Sequence, residues 1–104
     1  MNQKYSLKNL DELDAILDRM NFVKERNFEY FYARDFYRYV NALRRHYIQI
    51  KKCFPQEKTI YKEVIVKFNK NYNLKSRKLI FNGKLRRRLD LFYIKSLIIE
   101  KTFM

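Results

Sequence analysis

Three features of the amino-acid sequence predict an all-α fold. One Gly and one Pro among 104 residues are too few for a β-rich chain, which spends both at its many turns. Apolar residues recur at helical spacing over long stretches. With 47% hydrophobic and 34% charged residues, the composition lies outside the disordered range. A chain of this length buries one core and forms one domain.

Four helices follow in order. Leu7, Leu10, Leu13, Ile16, Leu17 and Met20 recur behind Ser6, a suitable N-cap, which predicts a short amphipathic helix over 7–20. "NFVKERN" reads as a connection ending near Asn27. The next helix is expected over 28–53. At 100° per residue, Val40, Leu43, Tyr47, Ile50 and Phe54 fall within about 40° of Phe36. Arg34, Arg38, Arg45 and Lys52 fall within about 20° of the opposite direction, a stripe about 27 Å long, and Asp35 is expected to lie apart from it. Phe54-Pro55 marks a break, because proline cannot continue a helix but fits the first turn of the next. Ile60, Tyr61, Val64, Ile65 and Phe68 then define a third helix over 56–70, followed by the polar connection "NKNYN". Ser76 is the expected cap of a fourth helix reaching Glu100, with Gly83 either inside it or at a break.

The net charge of +13 destabilises the compact state through self-repulsion, and it implies a partner of opposite sign. The excess is uneven. Residues 1–33 hold five Lys/Arg against six Asp/Glu, whereas residues 34–104 hold nineteen against five. The binding surface is therefore expected in the second region, and the poverty of carboxylates around the arginine stripe singles it out. The acidic first helix could lie across that stripe or present a solvated face.

Enzymatic chemistry finds little support. His46 is the lone histidine, and Cys53 the lone cysteine, with no CxxC or Cys/His spacing around it. One glycine cannot build a phosphate loop. Asp11, Asp14 and Asp18 share a helix face but read better as solvated groups than as cation ligands, and no carboxylate pair suits acid–base work. A non-enzyme is expected. The longest apolar run, "LFYIKSLII", spans nine residues and contains a lysine, short of the roughly 20 that cross a bilayer. No secretory h-region is visible, and Asp11, Glu12, Asp14 and Asp18 argue against an ordinary mitochondrial presequence.

From Phe36 onward the chain resembles the LYR-motif superfamily of small, basic mitochondrial proteins. "FYR" at Phe36-Tyr37-Arg38 is near the signature tripeptide. Phe54-Pro55 looks like the end of the family's first helix. "FNKNYNL" (68–74) is similar to the F-R-x-N-x-x-L that follows its second helix, with Asn69 standing where arginine is usual. "LIFNGKLRRRL" (79–89) resembles the third helix, with Gly83 at its small residue. Two registers compete. Starting at Leu43-Arg44-Arg45 fits the family's spacing to the F-P but loses the tyrosine, whereas starting at Phe36 keeps the tyrosine but lengthens the helix.

The resemblance implies an antiparallel three-helix bundle over 31–104, preceded by an additional short N-terminal helix in an extension over 1–30. It also implies a non-enzymatic adaptor or accessory subunit of a larger mitochondrial assembly, such as respiratory complex I or the iron–sulfur cluster machinery. The partner would be acyl carrier protein, which brings its own 4′-phosphopantetheine and acyl chain; no cofactor is bound directly. Localisation is expected at the matrix or the matrix side of the inner membrane. Tyr37, Arg38, Arg44 and Arg45 would face the carrier, and Val64, Phe68 and Leu85 would line the acyl-chain channel. The alternative is a small basic RNA- or DNA-binding protein, ribosomal or viral, with arginines on phosphates and tyrosines on bases. A membrane-surface helix ranks third, because the sequence alone shows no apolar residues left over once a core has formed.

Overall fold

The computed structural model describes the backbone of residues 6–103 and side chains up to Ile99. Four α-helices follow one another: α1 Asp11–Glu25, α2 Glu29–Cys53, α3 Lys58–Asn71 and α4 Gly83–Phe103. Short 3-10 turns at Leu7–Leu10 and Ser76–Leu79 precede α1 and α4, and no strand occurs among the described residues. At 1.5 Å per residue α2 is about 37 Å long, close to the molecule's 41 Å long axis. It is the element on which the others pack.

The first helix is longer than the spacing predicts. Asn21–Glu25 are helical rather than connecting, and Val23 is buried there. The helix stops at Asn27, whose φ of 58° places it in the left-handed region. Asn27 N–H donates to the carbonyl of Lys24 and Phe28 N–H to that of Val23, both at 3.1 Å. This paired closure satisfies the last carbonyls of a helix and needs a residue that tolerates positive φ. At the other end Ser6 Oγ accepts from Lys8 N–H at 3.2 Å, although what it caps is the 3-10 turn.

The α2–α3 break falls at Phe54-Pro55, and Glu57 N–H closes the turn onto the Phe54 carbonyl at 2.9 Å. The region after α3 departs from expectation. Ser76 does not cap α4. Its hydroxyl donates to the Asn71 carbonyl at 2.7 Å and accepts from Asn73 N–H at 2.9 Å, while Asn73 Oδ1 accepts from the N–H groups of Lys75 and Ser76. These bonds tie the connection to the end of α3. The chain then leaves helical conformation from Ile80, and Asn82 caps α4 by accepting from Lys84 N–H (3.0 Å) and Leu85 N–H (3.1 Å). Gly83 thus opens α4 instead of lying within a longer helix. A Cβ there would meet nothing within 4 Å among the described residues.

One core joins all four helices. Leu13 and Met20 of α1 meet Phe36, Val40, Leu43 and Ile50 of α2, Val64, Ile65 and Phe68 of α3, and Leu89 and Phe92 of α4. Aromatic rings form its centre. Tyr47 stands edge-on to Tyr61 and Phe92, both at 5.7 Å, and Phe68 stacks on Tyr72 at 5.3 Å and meets Phe92 edge-on at 4.8 Å. Such pairs contribute about 0.5–1.5 kcal/mol beyond area burial. Charge and hydrogen-bond pairs give helix directions. Glu12 meets Arg45 while Arg19 meets Asp35, so α1 runs opposite to α2. Asn69 meets Ser96 while Tyr72 meets Asp90, so α3 runs opposite to α4.

Asp90 joins α4 to the preceding turn. The Arg77 guanidinium grips both of its oxygens, Nε at 3.0 Å and Nη2 at 2.6 Å, and Tyr72 Oη donates to Oδ1 at 2.5 Å. Hydrogen bonding from Arg77, aided by Tyr72, holds the Asp90 carboxyl below its ordinary range despite some desolvation. Burial, followed by the bond to Asp90, pushes the Tyr72 hydroxyl up.

Two outcomes follow. Asn82→Ala is expected to cost about 0.5–2 kcal/mol. Its neighbour Gly83→Ala is expected to gain about 0.4–1 kcal/mol, so urea midpoints should move in opposite directions. A carboxyl depressed in the folded state adds stability that is complete above its unfolded value of about 3.9 and is lost as pH falls through the lower folded value. The stability gap between the parent and Asp90→Asn is therefore expected to shrink as urea titrations are repeated from about pH 6 down to about pH 3.

Candidate docking surface

Helix α2 buries two flanks. The Phe36 side meets α3 and α4, as its apolar spacing predicts. A second flank, carrying Asp35, Tyr39, Ala42 and His46, lies about 60–120° to one side of Phe36 and is also buried. There α1 packs against it. The side of the helix opposite Phe36 carries Arg34, Arg38, Arg45 and Lys52, all exposed. The cationic stripe therefore exists as one continuous face of one unbroken helix.

Asp35 does not lie apart from that stripe. It is wholly buried beneath it. Arg19 Nε of α1 lies 3.4 Å from one oxygen, with Arg38 Nη1 at 3.7 Å and Arg34 Nε at 3.8 Å from the other. Neither oxygen has a hydrogen-bond partner. The carboxylate is held by surrounding charge rather than by hydrogen bonds, an arrangement stable only while several cations remain close. Glu12 of α1 plays the same part further along, 3.4 Å from Arg45 Nη2 and 3.3 Å from the Nε2 of buried His46. The acidic helix α1 thus lies along one edge of the stripe, and Glu12 and Asp35 partly neutralise it.

Arg44 is different. It is half-buried, its Nε and Nη2 donate to Asn41 Oδ1 at 3.3 and 3.1 Å, and no carboxylate pairs with it among the described residues. Burial lowers its pKa, and repulsion from Arg88 on α4 and from Arg45 lowers it further, partly offset by Tyr37. Arg44 thus sits in a positive field, and an incoming carboxylate or phosphate would relieve it.

Three of the four residues expected to face a carrier come together: Tyr37, Arg38 and Arg45 line an open groove of about 460 Å³ between α1 and α2, with Ala15 and Ile16. Arg44 does not line it and lies about 100° round α2 from Arg45. The three residues expected to line a channel disperse. Phe68 is sealed in the aromatic core. Val64, also buried, touches a small groove of about 120 Å³ between α1 and α3. Half-buried Leu85 lines a third groove of about 340 Å³, with Tyr30, Tyr37, Leu79, Ile80 and Phe81.

Sequence reasoning missed Asp35, the positive field around Arg44 and the Asp90 fork. Only Asp35 had a signal: an acid three residues before Arg38, on the same side of the helix as small Ala42 and the apolar-bodied Tyr39. Among the described residues no group of His, Cys, Asp and Glu could hold a metal ion, and no helix is long and apolar enough to cross a membrane.

If charge alone holds Asp35, its coupling to α1 is measurable. A double-mutant cycle of Arg19→Ala with Asp35→Asn is expected to give about 0.5–2 kcal/mol of interaction free energy in urea unfolding, shrinking with added salt. Comparison with models of known families, with curated proteins and with solved structures finds no match.

Proposed function

We propose that the chain is a non-enzymatic adaptor of the LYR type, whose α2 face docks acyl carrier protein within a larger mitochondrial assembly such as respiratory complex I or the iron–sulfur cluster machinery. The observation that carries this reading is the exposed arginine stripe of α2, with Arg38 and Arg45 lining the groove that Tyr37 shares. Half-buried Arg44 lies on the next side of the helix, bonded to Asn41 and to no carboxylate among the described residues. The acidic surface of a carrier protein supplies the missing charge, which sets orientation and association rate.

Other features fit. Counting from α2, a long helix, a shorter helix and a second long helix follow the order that the motifs of the resemblance imply. An antiparallel three-helix bundle of α2, α3 and α4 belongs to this reading. It is supported by the groove that Tyr37 shares with Leu85 and by the Tyr47–Phe92 ring contact. Asn69, which stands where the family usually has arginine, bonds to buried Ser96 of α4. It therefore serves the α3–α4 packing. The Leu43 register supplies Arg44 and Arg45 and the Phe36 register Tyr37 and Arg38; Tyr37, Arg38 and Arg45 line one groove, and Arg44 lies on the adjoining side of α2.

In this reading the acyl chain on the carrier's 4′-phosphopantetheine enters beside Leu85 and Tyr37. It reaches Val64 and Phe68 only if α3 and α4 move apart, because those two side chains are packed in the core. Binding then couples to an opening of the bundle, offset by burial of about 0.8 kcal/mol per CH₂.

A second reading has its own observation. Phe22, Phe28, Tyr30 and Phe31 are exposed around the α1–α2 turn, with the Arg26 guanidinium 3.8 Å from the Phe22 ring and that of Arg34 5.1 Å from Phe31. Rings and guanidinium groups in this arrangement suit stacking on single-stranded nucleic acid.

Co-expression with an acyl carrier protein decides between them. The expected result is a complex whose intact mass includes an acylated phosphopantetheine, weakened about tenfold or more by Arg44→Glu at low salt. A pantetheine-loaded carrier that does not bind at about 50 mM salt, together with RNA that is retarded there, replaces this reading with the second.

A further inference from the structure

Helix α4 is apolar on two opposite sides. Its inner side buries Leu89 and Phe92 in the core. Its outer side exposes Leu91 (59%), Ile94 (56%) and Ile98 (64%). These three follow the i, i+3, i+7 spacing of a helix–helix seam, and the same seam continued toward the helix start carries Lys84 and Arg87. Arg88 and Lys95 flank it at equivalent shoulder positions seven residues apart. Among the described side chains of this helix the carboxylate is that of Asp90, which is committed to Arg77 and Tyr72. A helix apolar on both sides belongs inside a layer of helices, and among the described residues this one has its inner layer only.

We infer that the outer face of α4 is a docking seam for an amphipathic helix of a partner protein, one with apolar residues at its seam positions and Asp or Glu beside them. Charge decides the occupant. Lys84, Arg87, Arg88 and Lys95 are all exposed cations, and facing carboxylates set partner choice and register in paired helices. A second copy of this chain brings the same cations together and is disfavoured. A lipid surface fits less well. Leu91, Ile94 and Ile98 span about 60° and Leu97 widens the exposed apolar face to about 120°, but none of these is one of the aromatic residues that anchor a helix in a bilayer interface. The seam is a different surface from the α2 groove, and the inference does not depend on the carrier reading.

The test uses the full chain and a fluorescent synthetic helix of three to four heptads with Leu at the seam positions and Glu beside them. Binding is read by anisotropy at about 150 mM salt, where long-range attraction to a basic protein is screened. The expected result is saturable binding that is weakened about tenfold or more by Ile94→Asp and by Lys95→Glu, with helical circular dichroism and melting unchanged because both side chains are exposed. Lys95→Glu should in turn favour a version of the peptide with Lys beside the seam. Arg44→Glu should leave peptide binding unaltered while weakening carrier binding about tenfold or more at low salt, which separates the two surfaces. The inference is overturned if a peptide of equal charge with Ser at the seam positions binds as well. It also fails if the chain ignores the peptide but sediments with phosphatidylserine vesicles in a manner lost in Ile94→Asp. Self-association removed by that same variant, without peptide binding, equally rejects it.

Discussion

Burial of α2 on two adjacent flanks is the constraint that organises this molecule. Val40, Leu43 and Ile50 are sealed against α3 and α4, and Asp35, Tyr39, Ala42 and His46 against α1. About half of the circumference is spent in this way, and the guanidinium groups of Arg34, Arg38 and Arg45 are left one common direction. If either flank were solvated, those side chains could spread over a wider arc and the face would lose its density of charge. The interior packing of the helix and its outward chemistry are one design.

Self-repulsion in so basic a chain is handled locally. Asp35 is placed where three arginines meet and Glu12 where Arg45 and His46 meet. Both acids sit at the α1–α2 boundary, so α1 contributes counter-charge as well as Leu13, Met20 and Val23 to the core. The cations not treated this way are informative. Half-buried Arg44 bonds to Asn41 and to no carboxylate among the described residues. The positive charge of Arg88 on α4 adds to the field that lowers its pKa, and Arg88 also flanks the outer seam of α4. The uncompensated charge therefore runs from the groove on α2 toward the exposed side of α4 rather than being scattered.

The sequence made the helices legible wherever periodicity was long and bounded by a breaker. α2 ends within a residue or so of expectation because Phe54-Pro55 is an unambiguous stop. The end of α1 was misplaced because "NFVKERN" contains no Gly or Pro. What stops the helix is Asn27 adopting positive φ, which a polar residue of ordinary helical tolerance does not advertise. The start of α4 was misplaced for the opposite reason: Ser76 looks like a cap, but Asn73 and Asn82 do the capping. For the candidate surface, the angular positions of Arg38 and Arg45 followed from α2 alone. The burial of Asp35 did not, because it depends on α1 lying against a flank whose residues look mixed rather than apolar. The dispersal of Val64, Phe68 and Leu85 likewise reflects tertiary packing that periodicity cannot rank.

The start of α4 has a consequence of its own. Because the helix begins at Gly83, Lys84, Arg86, Arg87 and Arg88 all fall in its first turns, which hold no acid in the first turn itself. That is the positive end of the helix macrodipole, where cations are misplaced by about 0.3–1 kcal/mol each at low ionic strength. Electrolyte should therefore steady this end of the helix even as it loosens ion pairs elsewhere, an inversion of the usual response of a charged protein. A bound anionic group would do the same more strongly, so that the strain of a misplaced charge in the free chain becomes part of the affinity for whatever covers it.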